Sequence, residues 1–239
     1  MKYALFVAAL LLSLQVQAQN EDDLAGPTPE RNKVYTTSGG ELIFSFGDIL
    51  NDDVDYSSRL RFSAFLHLGQ YLHVDFGHNV GMFTGLAIRN VGMITDEGEG
   101  IVRKQRSYAL GAPLALKVGD FRKRIFFFTG AEAELMFNYK EKLFVNGDKE
   151  DKFNEWFSDR TNLFNPSVFA GIQLPGGWSF KFKYYLREFL NPDFTQEVGG
   201  VLVKPYADLD TRLFYVSLSR SFGGKQRIRV STSDDRSGT

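Results

Sequence analysis

Apolar and polar residues alternate one for one along eight stretches of the chain, near 41–49, 60–76, 80–94, 104–118, 123–140, 166–174, 178–189 and 209–222. A period of two is the signature of an extended strand with one apolar face. The clearest stretch sets Leu60, Phe62, Ala64, Leu66, Leu68, Leu72, Val74 and Phe76 on one face. Arg61, Ser63, Phe65, His67, Gly69, Tyr71, His73 and Asp75 share the other, and only Gln70 breaks the apolar face. A globular strand is about five or six residues long. An alternation of about seventeen suits a strand tilted across a bilayer and running beyond it. Two shorter strands meeting near Gly69-Gln70 are the alternative. Pro113, inside the fourth stretch, has no N–H to give a ladder and marks a bulge or a locally unpaired position.

The connections sort by length. If the first strand runs outward, the polar segments near 51–57, 95–103, 141–163 and 190–207 fall at one end, and the short turns at 77–79, 119–122 and 175–177 at the other. Short turns on one side and long loops on the opposite side are the outer-membrane pattern. The even strand count lets first and last strands pair, which removes every sheet edge. The expected fold is all-β: an eight-stranded antiparallel up-and-down transmembrane β-barrel. The polar faces carry charges among Gly, Ala and Ser, as the interior of a narrow barrel requires. The same alternation would also fit a soluble barrel with the faces exchanged and an apolar lumen.

The ends add the compartment. Lys2, an apolar run over 4–14 and Val16-Gln17-Ala18 form a secretory signal over 1–18, shorter than the roughly 20 residues of a spanning helix. An uncleaved anchor is the alternative. A polar leader with Gly26-Pro27-Thr28-Pro29 is assigned to 19–40, the barrel to 41–222 and a polar tail to 223–239. No Cys occurs, which excludes disulfides, thiolate metal sites and a lipidated N-terminal Cys. Without Lys2, 27 basic side chains face 29 acidic ones. That balance gives no basic excess for nucleic acid.

Candidate chemistry lies on the polar faces. Glu132 and Glu134 share one strand face, about 7 Å apart. Paired carboxylates serve glycosidases, but here they are expected to pair with Lys183 and Arg187. With Arg61 and Arg89 these residues form an expected charge-compensating network in the lumen. Ser63, His67, His73 and Asp75 raise the possibility of a Ser–His hydrolase, yet their spread along one strand works against the contact a triad needs. His73 and Asp75 are two ligands at most for a metal. The acidic run Asp96-Glu97-Gly98-Glu99 lacks the full calcium-loop pattern. No catalytic, cofactor-binding or metal residues are assigned, and no cofactor is expected.

The signal ending in Gln17-Ala18-Gln19, Phe83-Thr84-Gly85-Leu86, the segment from Tyr108 through Leu110, Pro113 and Leu114 to Lys117, and the final Phe214 to Phe222 together carry a likeness. Over about 41–222 the chain resembles the outer-membrane β-barrel (porin-like) proteins common in Bacteroidota. That resemblance implies the cell outer membrane, contact with its lipid, and handling by the barrel-assembly machinery, whose signal Phe222 resembles although about seventeen residues follow it. The family is functionally mixed and carries no catalytic residues across. The expected role is structural or interactive, not enzymatic, with the outer loops as binding surface for an unidentified extracellular or periplasmic partner. A narrow pore or solute-binding barrel is the alternative, and a lipid-modifying enzyme is a third reading.

Overall fold

The computed structural model describes residues 33–50, 57–207 and 209–223. The strands are β1 (Lys33–Leu50), β2 (Ser57–Arg59), β3 (Arg61–Ser63), β4 (Leu68–Asp75), β5 (Val80–Gly98), β6 (Ile101–Asp120), β7 (Ile125–Val145), β8 (Asp148–Trp156), β9 (Phe164–Gln173), β10 (Trp178–Tyr185), β11 (Gln196–Val198), β12 (Val201–Val203) and β13 (Asp210–Gly223). Every neighbouring pair is antiparallel, and β13 returns to pair with β1 from Thr37↔Gly223 to Leu50↔Asp210. The sheet therefore closes. Around the ring stand eight staves: β1, the broken stave β2–β3–β4, then β5, β6, β7, β9, β10 and β13. This is an eight-stranded antiparallel up-and-down barrel.

The burial of the staves is inverted relative to a soluble barrel. In β6, Ser107, Ala109, Ala115 and Lys117 are buried, while Leu110, Leu114, Leu116 and Val118 are exposed. Lys117, Glu134 and Lys183 have 0% exposure, whereas Leu114 is 57% and Phe127 66% exposed. Pro113 faces Glu132 on β7 in register, but the ladder to β5 lapses between Thr84↔Leu114 and Ala87↔Gly111. Thr84 Oγ1 instead donates to the Pro113 carbonyl at 2.7 Å. The proline thus sits at an unpaired position on its β5 side, where its missing N–H costs no ladder bond.

Three boundaries differ from the sequence reading. First, 33–40, assigned to the leader, belong to β1 and pair with β4 from Lys33↔Asp75 to Gly40↔Leu68. Thr36, Thr37, Ser38, Gly39 and Gly40 offer no apolar contrast; backbone pairing carries this stretch. Second, the long second alternation is broken over 64–67, with Leu66 at φ 59° and Phe65 turned outward, 69% exposed. β1 pairs Ile43↔Ser63 on one side of the break and Gly40↔Leu68 on the other. The second stave therefore holds two extra residues. An insertion of two preserves facing on a strand of period two, so Arg61, Ser63, His67, His73 and Asp75 all remain buried. Third, 95–103 and 141–163 are largely strand. β5 and β6 meet at Glu99-Gly100, and β7 and β8 meet at Asn146-Gly147, whose φ values of 53° and 92° suit a type I′ hairpin turn. The signal (1–18), the rest of the leader and most of the tail lie outside the described residues.

The two ends of the barrel contrast. Short connections (76–79, 121–124 and 174–177) close one end, called here the turn end, where Lys33 and Gly223 also lie. The β5–β6 and β7–β8 hairpins and residues 186–207 occupy the loop end.

Candidate functional site

The lumen is built in three tiers. At mid-height, Glu41 from β1, Arg89 from β5, Glu132 and Glu134 from β7, and Lys181 and Lys183 from β10 converge. Arg89 Nε donates to Glu41 Oε2 at 3.0 Å, and its Nη1 donates to Glu132 and, at 3.1 Å, to Glu134. Lys183 Nζ donates to Glu132 Oε2 at 2.7 Å and Glu134 Oε1 at 2.5 Å. Lys181 lies 2.7 Å from Glu41, and the Tyr185 hydroxyl donates to Glu134 Oε2 at 2.5 Å. Three carboxylates thus face three cations, so the buried charge sums to zero, the condition under which ions tolerate a low-dielectric interior.

One glycine makes the meeting of staves possible. Gly111 on β6 pairs with Ala87 on β5 and Glu134 on β7, and the Arg89 side chain reaches over it. A Cβ there would lie 2.1 Å from Glu132 Oε1 and 3.0 Å from Arg89 Nη1. The absent side chain is the space in which the guanidinium meets the carboxylate.

Toward the turn end a second, smaller group forms. Lys117 Nζ pairs with Asp75 at 2.5 Å and donates to Tyr35 Oη at 2.8 Å and His73 Nδ1 at 3.3 Å. With Nδ1 accepting, the His73 proton sits on Nε2 and is donated to Thr37 Oγ1 at 2.9 Å. Beside it Phe83, Phe126, Phe128 and Phe169 form a buried aromatic wall. A cavity of about 160 Å³ runs along this wall, with Lys33, Arg124 and Arg220 also on its lining and Arg89, Glu132 and Lys181 at its inner end.

Toward the loop end an apolar cluster fills the lumen. Ile43, Val91, Met93, Met136, Tyr139, Leu213 and Tyr215 point inward and meet Phe189, Leu190 and Tyr206 from 186–207. Arg160 fastens this cover: it donates to Tyr206 Oη at 3.2 Å and Gln196 Oε1 at 3.1 Å, and stacks over Phe153 and Phe194.

Of the residues singled out in the sequence, Arg89, Glu132, Glu134 and Lys183 come together. Arg61 is buried in the lumen but donates to Asn90, at 2.6 Å to Oδ1 and 3.2 Å to the carbonyl. Arg187 is exposed and, among the described residues, donates to the Phe164 carbonyl at 3.4 Å. β10 ends at Tyr185, so alternation no longer aims residue 187 inward, and its expected pairing with the glutamates does not form. Sequence reasoning left Glu41, Lys181 and Tyr185 out of the network. Their signal was parity, since Glu41 shares the face of Ile43, and Lys181 and Tyr185 that of Lys183.

Ser63 and His67 do touch: Oγ and Nε2 are 2.8 Å apart. However, His67 Nδ1 accepts from the Asn90 backbone N–H at 3.3 Å, which leaves the ring proton on Nε2. The histidine then donates to the serine instead of taking its proton. A general base needs the opposite tautomer, so the pair is a buried structural contact.

No family model matches the chain, and no curated protein matches it. Among solved structures the chain is similar to Ail, the attachment invasion locus protein of Yersinia pestis, at 13% identity, covering 80% of this chain and 99% of that one, with a TM-score of 0.33. It is also similar to Neisserial surface protein A, at 11% identity, 82% and 100% coverage and a TM-score of 0.37. Outer membrane protein OprG from Pseudomonas aeruginosa gives 11% identity, 80% and 97% coverage and a TM-score of 0.37. With scores this low, the barrel stands on its own strand pairing.

Proposed function

We propose that the chain is a small outer-membrane barrel of the porin-like kind common in Bacteroidota, with a structural or interaction role and no catalytic one. The turn end faces the periplasm and the loop end the exterior, following export by the 1–18 signal and insertion by the barrel-assembly machinery. The belt of exposed Leu110, Leu114, Leu116, Val118, Phe127, Val168, Phe180 and Phe182 around a lumen of buried ions supports a lipid-facing wall, because a large contiguous apolar surface needs an apolar neighbour.

The observation that carries the functional reading is the filled lumen. The neutral ion network blocks its middle and the Arg160-fastened apolar cover blocks its outer end. A barrel so closed is a scaffold that presents its outer surface, where the β11–β12 hairpin leaves Val198, Val201 and Leu202 exposed for a partner. Purified barrel in a planar bilayer is expected to show no steady conductance, and the unheated protein should migrate differently from the boiled one and fractionate with outer membrane. Steady single-channel currents from the wild type would refute the closed scaffold. A soluble periplasmic protein would refute the membrane reading.

The turn-end cavity favours a second reading, a solute-binding barrel open to the periplasm. Its aromatic wall and the cations Lys33, Arg124 and Arg220 suit a small amphiphile with an anionic group. Saturable binding of such a compound, lost in Phe128→Ala, would select it.

A further inference from the structure

Beyond the barrel, β2, β5, β6, β7 and β8 continue as one projecting sheet. Its charges are sorted between its faces. On the face continuous with the lumen, Arg103 pairs with Glu97 and Glu141, and Gln105 and Tyr139 also donate to Glu141. Among the described residues the outward face holds Arg59, Lys104, Arg106, Lys140, Lys142 and Lys152, and the acid that shares it by register, Asp96, is already paired with Arg59. The other five have no ion pair with any described carboxylate.

The register makes this arrangement costly. Lys104 stands directly opposite Lys142, Lys142 opposite Lys152, and Arg106 opposite Lys140. Like charges in directly opposed positions destabilise a sheet. Partial burial and the charges of Arg106, Lys152 and Lys142 together pull the Lys140 ammonium below the ordinary lysine range. A local conflict of this kind, repeated in three pairs on one face, marks a surface shaped for something else than stability.

The position of the patch selects its occupant. One row below Arg106 and Lys140 toward the barrel lie Tyr108 and Trp156, with Phe137 at the adjoining bulge. Tyr108, Phe137 and Trp156 stack in a chain, with centroids 6.3 and 5.8 Å apart, and Trp156 is 63% exposed. Outward aromatics at the rim of an apolar belt lie at the membrane interface. With rows about 7 Å apart, the cations stand one and two rows farther out, at headgroup height. We propose that this outward face docks the phosphate-bearing headgroup of a glycolipid in the outer leaflet, with Arg106, Lys140 and Lys142 as its central contacts. The inference rests on the membrane reading above.

The test is a titration of the full-length barrel, folded in detergent, with lipid A bearing both phosphates. Saturable binding is expected, weakened at least about tenfold when the lipid is dephosphorylated. At roughly fivefold per juxtamembrane cation, Lys140→Gln with Lys142→Gln should weaken it about twenty-five-fold. Lys140→Arg with Lys142→Arg should retain it, and the gel shift on heating confirms that each variant is folded. Equal affinity for the dephosphorylated lipid, or no change in the glutamine pair, overturns the inference. Full competition by millimolar inorganic phosphate, or tighter binding of a sulfated glycan than of lipid A, also overturns it in favour of a free anion or a polysaccharide. A chain that fractionates as soluble fails the membrane reading first; one that inserts but ignores lipid phosphate fails only here.

Discussion

Replacing Lys183 by methionine removes a cation of 0% exposure while keeping much of its volume. The lysine holds Glu132 and Glu134 at 2.7 and 2.5 Å. Without it, three carboxylates face only Arg89 and Lys181, so one negative charge is stranded among buried groups. Removing one partner of a buried pair costs about 3–5 kcal/mol. The lower half of that range applies here, because Arg89 and Tyr185 still donate to Glu134 and the cavity reaches Glu132. Adding Glu134→Gln restores neutrality, so the double variant should lose only about 1–2 kcal/mol, and the coupling between the two sites should reach about 2 kcal/mol. Urea titration of the folded barrel in phospholipid vesicles, followed by the band shift between unheated and boiled samples, measures each corner of the cycle. Additive single losses would refute the network as a charge-compensated unit. So would a Lys183→Met barrel that unfolds within about 0.5 kcal/mol of the wild type.

Three further outcomes test other parts of the molecule. Leu114→Arg, in the middle of the apolar belt, should cost about 2–4 kcal/mol of stability in bilayers. Leu202→Arg in the β11–β12 hairpin, where Leu202 is 73% exposed, should cost almost nothing, and equal effects would contradict the lipid-facing assignment. Gly111→Val forces a Cβ onto the Glu132 carboxylate, and the urea midpoint should fall by the equivalent of about 3 kcal/mol, overpacking plus the disturbed Arg89 contact. Arg160→Ala removes two hydrogen bonds and two ring contacts from the outer cover; faster hydrogen exchange and proteolysis over 186–207 are expected with the barrel's urea midpoint unchanged, and unaltered exchange would show that the cover holds without this clamp.

Alternation made most of the barrel legible, because each stave has two environments and a residue's parity decides which it meets. Leu110, Leu114 and Leu116 against Ser107, Ala109 and Lys117 show it: the apolar set is exposed and the polar set buried. Where parity lost its contrast, the boundaries blurred. Residues 33–40 are strand because β4 pairs with all of them and β13 with 37–40, information held in other parts of the chain. Two hairpin ends were hidden by charge: 141–163 reads as a polar loop, although Asn146-Gly147, a strong short-range hairpin signal, stands after Leu143, Phe144 and Val145. Arg187 fails in the opposite way, since alternation was extended past Tyr185, where the stave ends.

The network shows a different limit. Parity can say that Glu41, Arg89, Glu132, Glu134, Lys181 and Lys183 all face inward, but it cannot set their heights. Height depends on register between staves, and register here absorbs a two-residue insertion at 64–67 and a bulge at Tyr108/Ala109. The bulge exchanges the faces of β7 beyond Phe137, turning Lys140 and Lys142 outward beside Arg106 and Lys104 while Glu141 turns inward to Arg103. Had β7 run without it, the even-numbered lysines would have continued the inward row of Glu132 and Glu134, and Glu141 would have faced outward. One inserted residue therefore assigns the cations to the outer surface and the acid to the interior, which makes the bulge the element on which the lipid-docking face depends. Deleting Phe137 should restore the inward row, strand Lys140 and Lys142 over the apolar cover and abolish both the folded band and lipid A binding, whereas Phe137→Leu, which keeps the residue count, should preserve both.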